Sequence, residues 1–330
     1  MNAPAKLSII AFCMFALITA ISCDRAETGA GATGGGGGGE RIVVGFSQVG
    51  AESAWRTANT QSIQEEAKTR DVDLRFADGQ QNQDNQIKSI QNFITQGVDV
   101  IAFAPVVKTG WDPVLREAKS AGIPVFISDR RIDTADPSLY VCFVGADFRQ
   151  EGRMAAEYMA KVTNSKAVIA ELEGTPGSDP AIQRKEGFHL AIKQHPEMRV
   201  IKSQTGEFTR ARGREVMEAF LNSPEGKQIN ALFAHNDDMA LGAIQAIEAA
   251  GLKPGQDIII VSIDAVRGAF EAMTQGKLNG TVECNPLLGP ALFDLIERHR
   301  GGEELPKEQI IPPTLFTPAN AAEVLPTRKY

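Results

Sequence analysis

From Arg41 onward the chain alternates, without a break, between short β-branched apolar runs and segments whose apolar residues recur at helical spacing. The spacing predicts strands over 42–47, 73–77, 98–104, 124–128, 140–144, 167–172, 199–204, 231–234, 258–263 and 280–283. It predicts helices over 55–70, 84–96, 111–121, 149–162, 181–194, 210–221, 239–250, 268–275 and 289–300. Ile87, Ile90, Phe93 and Ile94 form one apolar stripe, and Met239, Ala243, Ile244 and Ile247 another. Gly97, Gly122 and Gly251 supply the left-handed residue that ends a helix. Continuously apolar strands separated by helices imply parallel sheets covered on both faces.

About ten strands exceed one doubly wound domain of ordinary size, so the expectation is an α/β protein of two Rossmann-like lobes with parallel sheets. No low-complexity linker separates them. The chain is therefore expected to pass between lobes through three strand-like crossovers, at 140–148, 281–287 and 309–317. The expected division is 41–145 plus 286–308 for the N-terminal lobe and 146–285 plus 309–330 for the C-terminal lobe.

Residues 1–6 carry one positive charge, and 7–20 (LSIIAFCMFALITA) are an apolar run of signal-peptide length, too short to span a bilayer comfortably. Residues 1–22 are read as an export signal. The run ends in Ala20-Ile21-Ser22-Cys23, which resembles a bacterial lipobox and implies lipidation of Cys23; ordinary secretory cleavage near Ala20 is the alternative. Asp24 follows, a residue that in such lipoproteins implies retention at the inner membrane. Eight of the 31 glycines fall between Gly29 and Gly39, so 23–40 reads as an anchor and flexible tether. It contains G-x-G-x-x-G only trivially, because it precedes the first strand. With Cys13 in the signal and Cys23 at the anchor, Cys142 and Cys284 remain, either paired in an oxidising compartment or left as buried thiols.

The 34 basic and 41 acidic residues give a net charge of -7 and form no basic stripe, which argues against a nucleic-acid partner. G-x-S-x-G, Walker, H-E-x-x-H and paired C-x-x-C signatures are missing, and His189, His195, His235 and His299 lack metal-ligand spacing. No catalytic residue, metal or cofactor is expected.

Ligands of open parallel sheets lie beyond the carboxyl ends of the strands. There the sequence places Ser47, Glu52, Trp55 and Arg56 after the first strand, Asp78 to Gln81 after the second, and Trp111 beyond the third. Asp129 and Arg130 follow the fourth strand, with Arg184, Glu207, Phe208, Asn236 and Asp264 in the second half. Carboxylates, guanidiniums, amides and indoles are the inventory for a polyhydroxylated ligand. Each has a plainer reading: Asp129 and Arg130 as a surface pair, Asn236 as a helix cap, Asp264 as a turn residue, and Trp55 and especially Trp111 as packing.

GFSQVGAESAWR, ADGQQNQDNQIKSIQNFITQGVDVIAFAPV, GIPVFISDR, HNDDMALGAIQAIEAAG and VSIDAV resemble the type I sugar-binding proteins of bacterial ABC importers, the ribose and galactose binder superfamily, over nearly all of 41–330. The variants GFSQVG with W-R, ADGQQ, APVV with GW, and GEFTR are most similar to galactofuranose-binding proteins. The resemblance implies a monomeric extracytoplasmic binder, lipid-anchored or soluble, that closes on one monosaccharide and delivers it to a membrane permease. It implies sugar contacts at Ser47, Glu52, Trp55, Arg56, Asp129, Arg130, Arg184, Asn236 and Asp264. Where ribose binders carry a glutamine on the second crossover this chain has Glu283-Cys284-Asn285, and Asn285 is expected to supply that contact. A chemotaxis or quorum-sensing receptor of the same fold is the alternative. A repressor effector domain is disfavoured, since the positions of its DNA-binding helices hold the apolar signal and glycines.

Overall fold

The computed structural model describes residues 41–330; the expected signal, Cys23 and the glycine tether lie outside them. In chain order the first part comprises β1 (Val43–Gln48), α1 (Ala54–Thr69), β2 (Asp73–Asp78), α2 (Gln83–Gln96), β3 (Val100–Phe103), α3 (Asp112–Ser120), β4 (Val125–Ser128) and β5 (Cys142–Ala146). Then come α4 (Phe148–Val162), β6 (Ala167–Glu173), α5 (Asp179–Ile192), β7 (Met198–Thr205), α6 (Arg210–Leu221), β8 (Ala231–Ala234), α7 (Asp237–Ala249), β9 (Ile259–Asp264), α8 (Arg267–Thr274) and β10 (Gly280–Glu283). The chain closes with α9 (Gly289–Arg300), β11 (Glu308–Ile311), β12 (Leu315–Phe316) and α10 (Pro318–Val324).

Among the described residues these strands form two sheets of six, ordered β11-β5-β4-β3-β1-β2 and β12-β10-β9-β8-β6-β7. All pairings are parallel except that of β12 with β10. β3, β4, β5 and β8 are buried at every position, which is why their sequence is apolar except for Ser128 at the end of β4. Each sheet carries a separate apolar cluster on each face. In the first lobe Phe126 and Val144 pack with Leu292 and Phe293 of α9, and Phe103 and Ile127 with Trp111 and Leu115 on the opposite face. In the second, Leu232 and Ile260 pack with Met239 and Phe270, and Phe233 and Ile263 with Met159 and Phe188.

The chain passes between the lobes after β5, after β10 and between β11 and β12, the three stretches anticipated from the sequence. One boundary differs. Residues 309–330 were expected in the second lobe, yet β11 pairs with β5 from Glu308 to Ile311, so the first sheet extends to Ile311. Its residues alternate between exposed and half-buried, which removes the apolar run that marks the other strands.

β1 lies between β2 and β3, and β6 between β7 and β8. Each sheet therefore reverses its winding direction at its first strand, the position where open α/β sheets leave a crevice.

Candidate functional site

The helices that follow β1, β6 and β8 begin at one cleft between the lobes. Ser53, in extended conformation, caps α1 by accepting the Arg56 N–H at 3.1 Å, which sets Trp55 and Arg56 on its first turn, with Glu52 just before the cap. Ser178 caps α5 and Asn236 caps α7 in the same way. The cleft holds about 280 Å³ of atom-free space, part of it open to solvent. Of the ten sequence-predicted residues, Glu52, Trp55, Arg56, Asp129, Arg130, Arg184, Asn236 and Asp264 line it.

Arg56 is the centre of the first-lobe wall. Its Nη2 donates to Asp129 Oδ2 at 2.6 Å, its Nε to Glu52 Oε1 at 3.1 Å and its Nη1 to Gln48 Oε1 at 3.2 Å. Arg130 Nη2 donates to the same Glu52 oxygen at 3.3 Å, and its Nη1 to the Val106 carbonyl at 3.2 Å. Burial works against the Glu52 carboxylate, but the Arg56 and Arg130 guanidiniums outweigh it and hold its pKa below the usual value. Burial, reinforced by repulsion from Arg56, lowers Arg130 to about 10, which leaves it cationic at neutral pH. Glu52 Oε2 and Arg130 Nε are buried and have no hydrogen-bond partner among the described residues.

On the second-lobe wall, Arg184 Nη1 donates to the His235 carbonyl at 2.6 Å, and its Nη2 lies 3.5 Å from Asp264 Oδ1. Burial pushes the Asp264 carboxyl well above the usual range, against the pull of Arg184. Asn236 is both cap and tether: its Oδ1 accepts the Met239 N–H and its Nδ2 donates to the Phe208 carbonyl, each at 2.9 Å. His235 is fully buried with its ring against Glu171, not on the cavity.

Aromatic faces complete the walls. The Trp55 indole N–H donates to the Cys284 carbonyl at 2.5 Å, and the Arg56 guanidinium lies 4.6 Å from its ring centroid. Phe208 sits under Arg130 at 5.4 Å and Arg184 at 5.9 Å. Gly174 makes room for that ring: a Cβ there would lie 1.9 Å from Phe208 Cζ. Asp129 and Asp264 hold positive φ, 64° and 120°, and Glu207 and Phe208 do likewise. Each such residue costs about 1–3 kcal/mol, strain that collects at functional sites.

Ser47 and Asn285 do not line the cavity. Ser47 is fully buried within β1, and its hydroxyl is unpartnered. Asn285 Oδ1 accepts the Leu287 N–H at 2.9 Å and braces the crossover, while the preceding residue, Cys284, faces the cleft. Ser53, Pro180 and Phe208 also line it, unassigned by sequence reasoning. Phe208 was within reach, in Gly206-Glu207-Phe208 beyond a strand end, and Pro180 lies in the first turn after β6. Trp111 is core: it is buried against Phe103, and its indole N–H bonds the Val107 carbonyl. Cys142 and Cys284 are both free buried thiols, the first in β5 and the second beyond β10, so the pairing left open by the sequence is not formed.

Residues 44–303 match the periplasmic binding protein domain. The chain is 48% identical over 291 residues to the galactofuranose-binding protein YtfQ of Escherichia coli, covering 87% of this chain and 92% of that protein. Among solved structures, the binding protein of the arabinose ABC transporter from Shewanella sp. ANA-3, bound to α- and β-L-arabinofuranose, is 49% identical with a TM-score of 0.85, covering 87% of this chain and 96% of that one. A Mycobacterium smegmatis protein in complex with β-D-fucofuranose is 52% identical with a TM-score of 0.85, covering 88% and 95%. Fold, cleft and similarity agree over both lobes: the chain belongs to the periplasmic binding protein family.

Proposed function

We propose that this protein captures one neutral monosaccharide, a furanose, in the interlobe cleft outside the cytoplasm and delivers it to the membrane permease of an ABC importer. The carrying observation is the pair of unpartnered buried atoms, Glu52 Oε2 and Arg130 Nε, on residues that wall one cavity. An unmet buried polar group costs about 1–3 kcal/mol, a penalty that sugar hydroxyls would remove. Three guanidiniums and three carboxylates line the cleft, a balance that suits an uncharged ligand better than a sugar acid or phosphate. Trp55 and Phe208 offer apolar faces for the C–H side of a ring.

In this reading Glu52, Trp55, Arg56, Asp129, Arg130, Arg184, Asn236 and Asp264 contact the sugar, and Ser47 and Asn285 support them from behind. The protein acts by binding rather than by catalysis, as a monomer of two lobes divided as the sequence suggested, with the first sheet extended to Ile311. A lipid on Cys23 tethers it to the membrane. The furanose preference is supported by the similarity to binders of arabinofuranose, fucofuranose and galactofuranose.

Calorimetric titration with L-arabinose, D-galactose, D-fucose, D-ribose and D-fructose tests the reading. One or two of the first three are expected to bind at least tenfold more tightly than the rest, the separation that one or two missed hydrogen bonds produce. Absence of heat and of any change in Trp55 fluorescence with all five would overturn it.

A further inference from the structure

Behind the second-lobe wall lies a carboxylate that never reaches the cavity. Glu151, on the first turn of α4, is fully buried. Its Oε2 accepts Arg184 Nε at 2.8 Å, and its Oε1 has no hydrogen-bond partner among the described residues. The other arms of Arg184 are committed to the His235 carbonyl and toward Asp264. Glu151 is thus the group that holds the Nε edge of a guanidinium on the cleft wall.

The backbone fixes this pair. The residue after Glu151 is Gly152, where a Cβ would lie 2.1 Å from the Arg184 carbonyl oxygen, so α4 and α5 are in backbone contact at this level. The charged and titratable groups acting on Glu151 are Arg184 from α5, Asp264 from the end of β9, the Cys284 thiol beyond β10 and, across the cleft, Asp129 just past β4. Glu151 and Asp264 therefore share the Arg184 guanidinium, and beside Glu151 the Cys284 thiol is only a weak donor.

We infer that Glu151 is a positioning residue for the cleft: ionised, it pins Arg184 in its ligand-facing pose, and a proton taken up at Oε1 removes the charge that strengthens the Oε2 hydrogen bond, loosens that hold and weakens ligand binding. Burial raises its pKa to about 7, against the pull of Arg184, which places the change near neutrality. Linkage fixes the sign. Binding favours the ionised carboxylate, so affinity is full above that pKa and declines as the medium is acidified through it.

The inference takes the sugar-binding reading as its premise. L-arabinose, D-galactose, D-fucose, D-ribose and D-fructose are titrated at about pH 6, 7 and 8 into the wild type, Glu151→Gln and Glu151→Asp. The wild type is expected to bind about three- to tenfold more weakly at the acid end. Glu151→Gln is expected to bind at every pH as weakly as the acidified wild type, with a flat profile, and Glu151→Asp to keep a slope. A flat wild-type profile, or a Glu151→Gln variant with wild-type affinity and slope, overturns the inference alone. If Glu151→Gln fails to fold, the wild-type and Glu151→Asp profiles decide it. A wild type that binds none of the five at any pH overturns the binding reading and this inference with it.

Discussion

The carboxylate of Asp238, at the start of α7 in the second lobe, accepts the backbone N–H of Ala54, the first residue of α1 in the first lobe, at 2.7 Å. Arg210 holds its other oxygen at 2.9 Å, so the acceptor is aimed before the lobes meet. Asp179, at the start of α5, makes a corresponding link to the first lobe through Lys108 Nζ at 2.8 Å and the Arg131 N–H at 3.2 Å.

Neither aspartate lines the cleft, yet both hold the lobes together. Asp238→Ala is expected to weaken sugar binding about tenfold, the worth of one charge-assisted hydrogen bond of about 1.5 kcal/mol, with little change in melting temperature. Solution scattering should show a larger radius of gyration for the sugar-loaded variant. Wild-type affinity and scattering together would exclude a role in closure.

Arg130→Ala removes a donor from Glu52 and leaves that carboxylate to Arg56. Affinity should fall about ten- to hundredfold, and Arg130→Lys should restore only part of it, because a point charge cannot reproduce the planar fork. Arg70 is the control. It ends α1 among Glu66, Asp294 and Glu297, outside the cleft, and Arg70→Ala should bind sugar normally.

His235 and Glu171 should lose their stability contributions in turn as the medium is acidified, against the opposite trend of the raised Glu151, Asp237 and Asp264 carboxyls. Burial lowers the His235 pKa below its usual 6.5, although Glu171 pulls it upward, so the unfolded chain takes up a proton that the folded ring resists. The contribution is present above 6.5 and is lost as pH falls below it. Burial also opposes the Glu171 carboxylate, but hydrogen bonds from His189 and His235 outweigh it and hold its pKa below the usual 4.5. Its contribution is lost in turn below 4.5. His235→Gln should lower the melting temperature at neutral pH yet flatten its decline between about pH 7.5 and 5.5; parallel melting curves would contradict this.

Cys23 is expected to carry lipid in cells. Metabolic labelling with a fatty acid should mark the wild type and not Cys23→Ser; equal labelling of the two would exclude lipid at Cys23, and no label in either would indicate ordinary secretory cleavage.

The scaffold was legible in the sequence because strands buried on both faces are apolar throughout, as in β3 and β8. β11, β12 and α10 were not, since β11 is half exposed and β12 has two residues. The cleft was legible as a set of strand-end residues but not as a network: nothing local announces that Arg56 bonds Asp129, 73 residues away. The exchange of Asn285 for Cys284 is a matter of parity. In an extended crossover successive side chains point to opposite sides, so a reading offset by one residue selects the wrong face.

The shared strand order of the two sheets makes Asp129 and Asp264 counterparts, each just past or at the end of the fourth strand of its lobe and each at positive φ. Likewise Trp55 and Pro180 are each the second residue of the helix after the first strand. The cleft thus has an approximate two-fold repeat that no sugar possesses. A ring turned end for end would exchange Asp129 for Asp264 but find Glu52 at one end only, so discrimination of its two ends, and of its mirror image, falls to positions where the halves diverge. The indole opposite a proline is the largest of these divergences, and reversing it would blur chirality before it abolished binding.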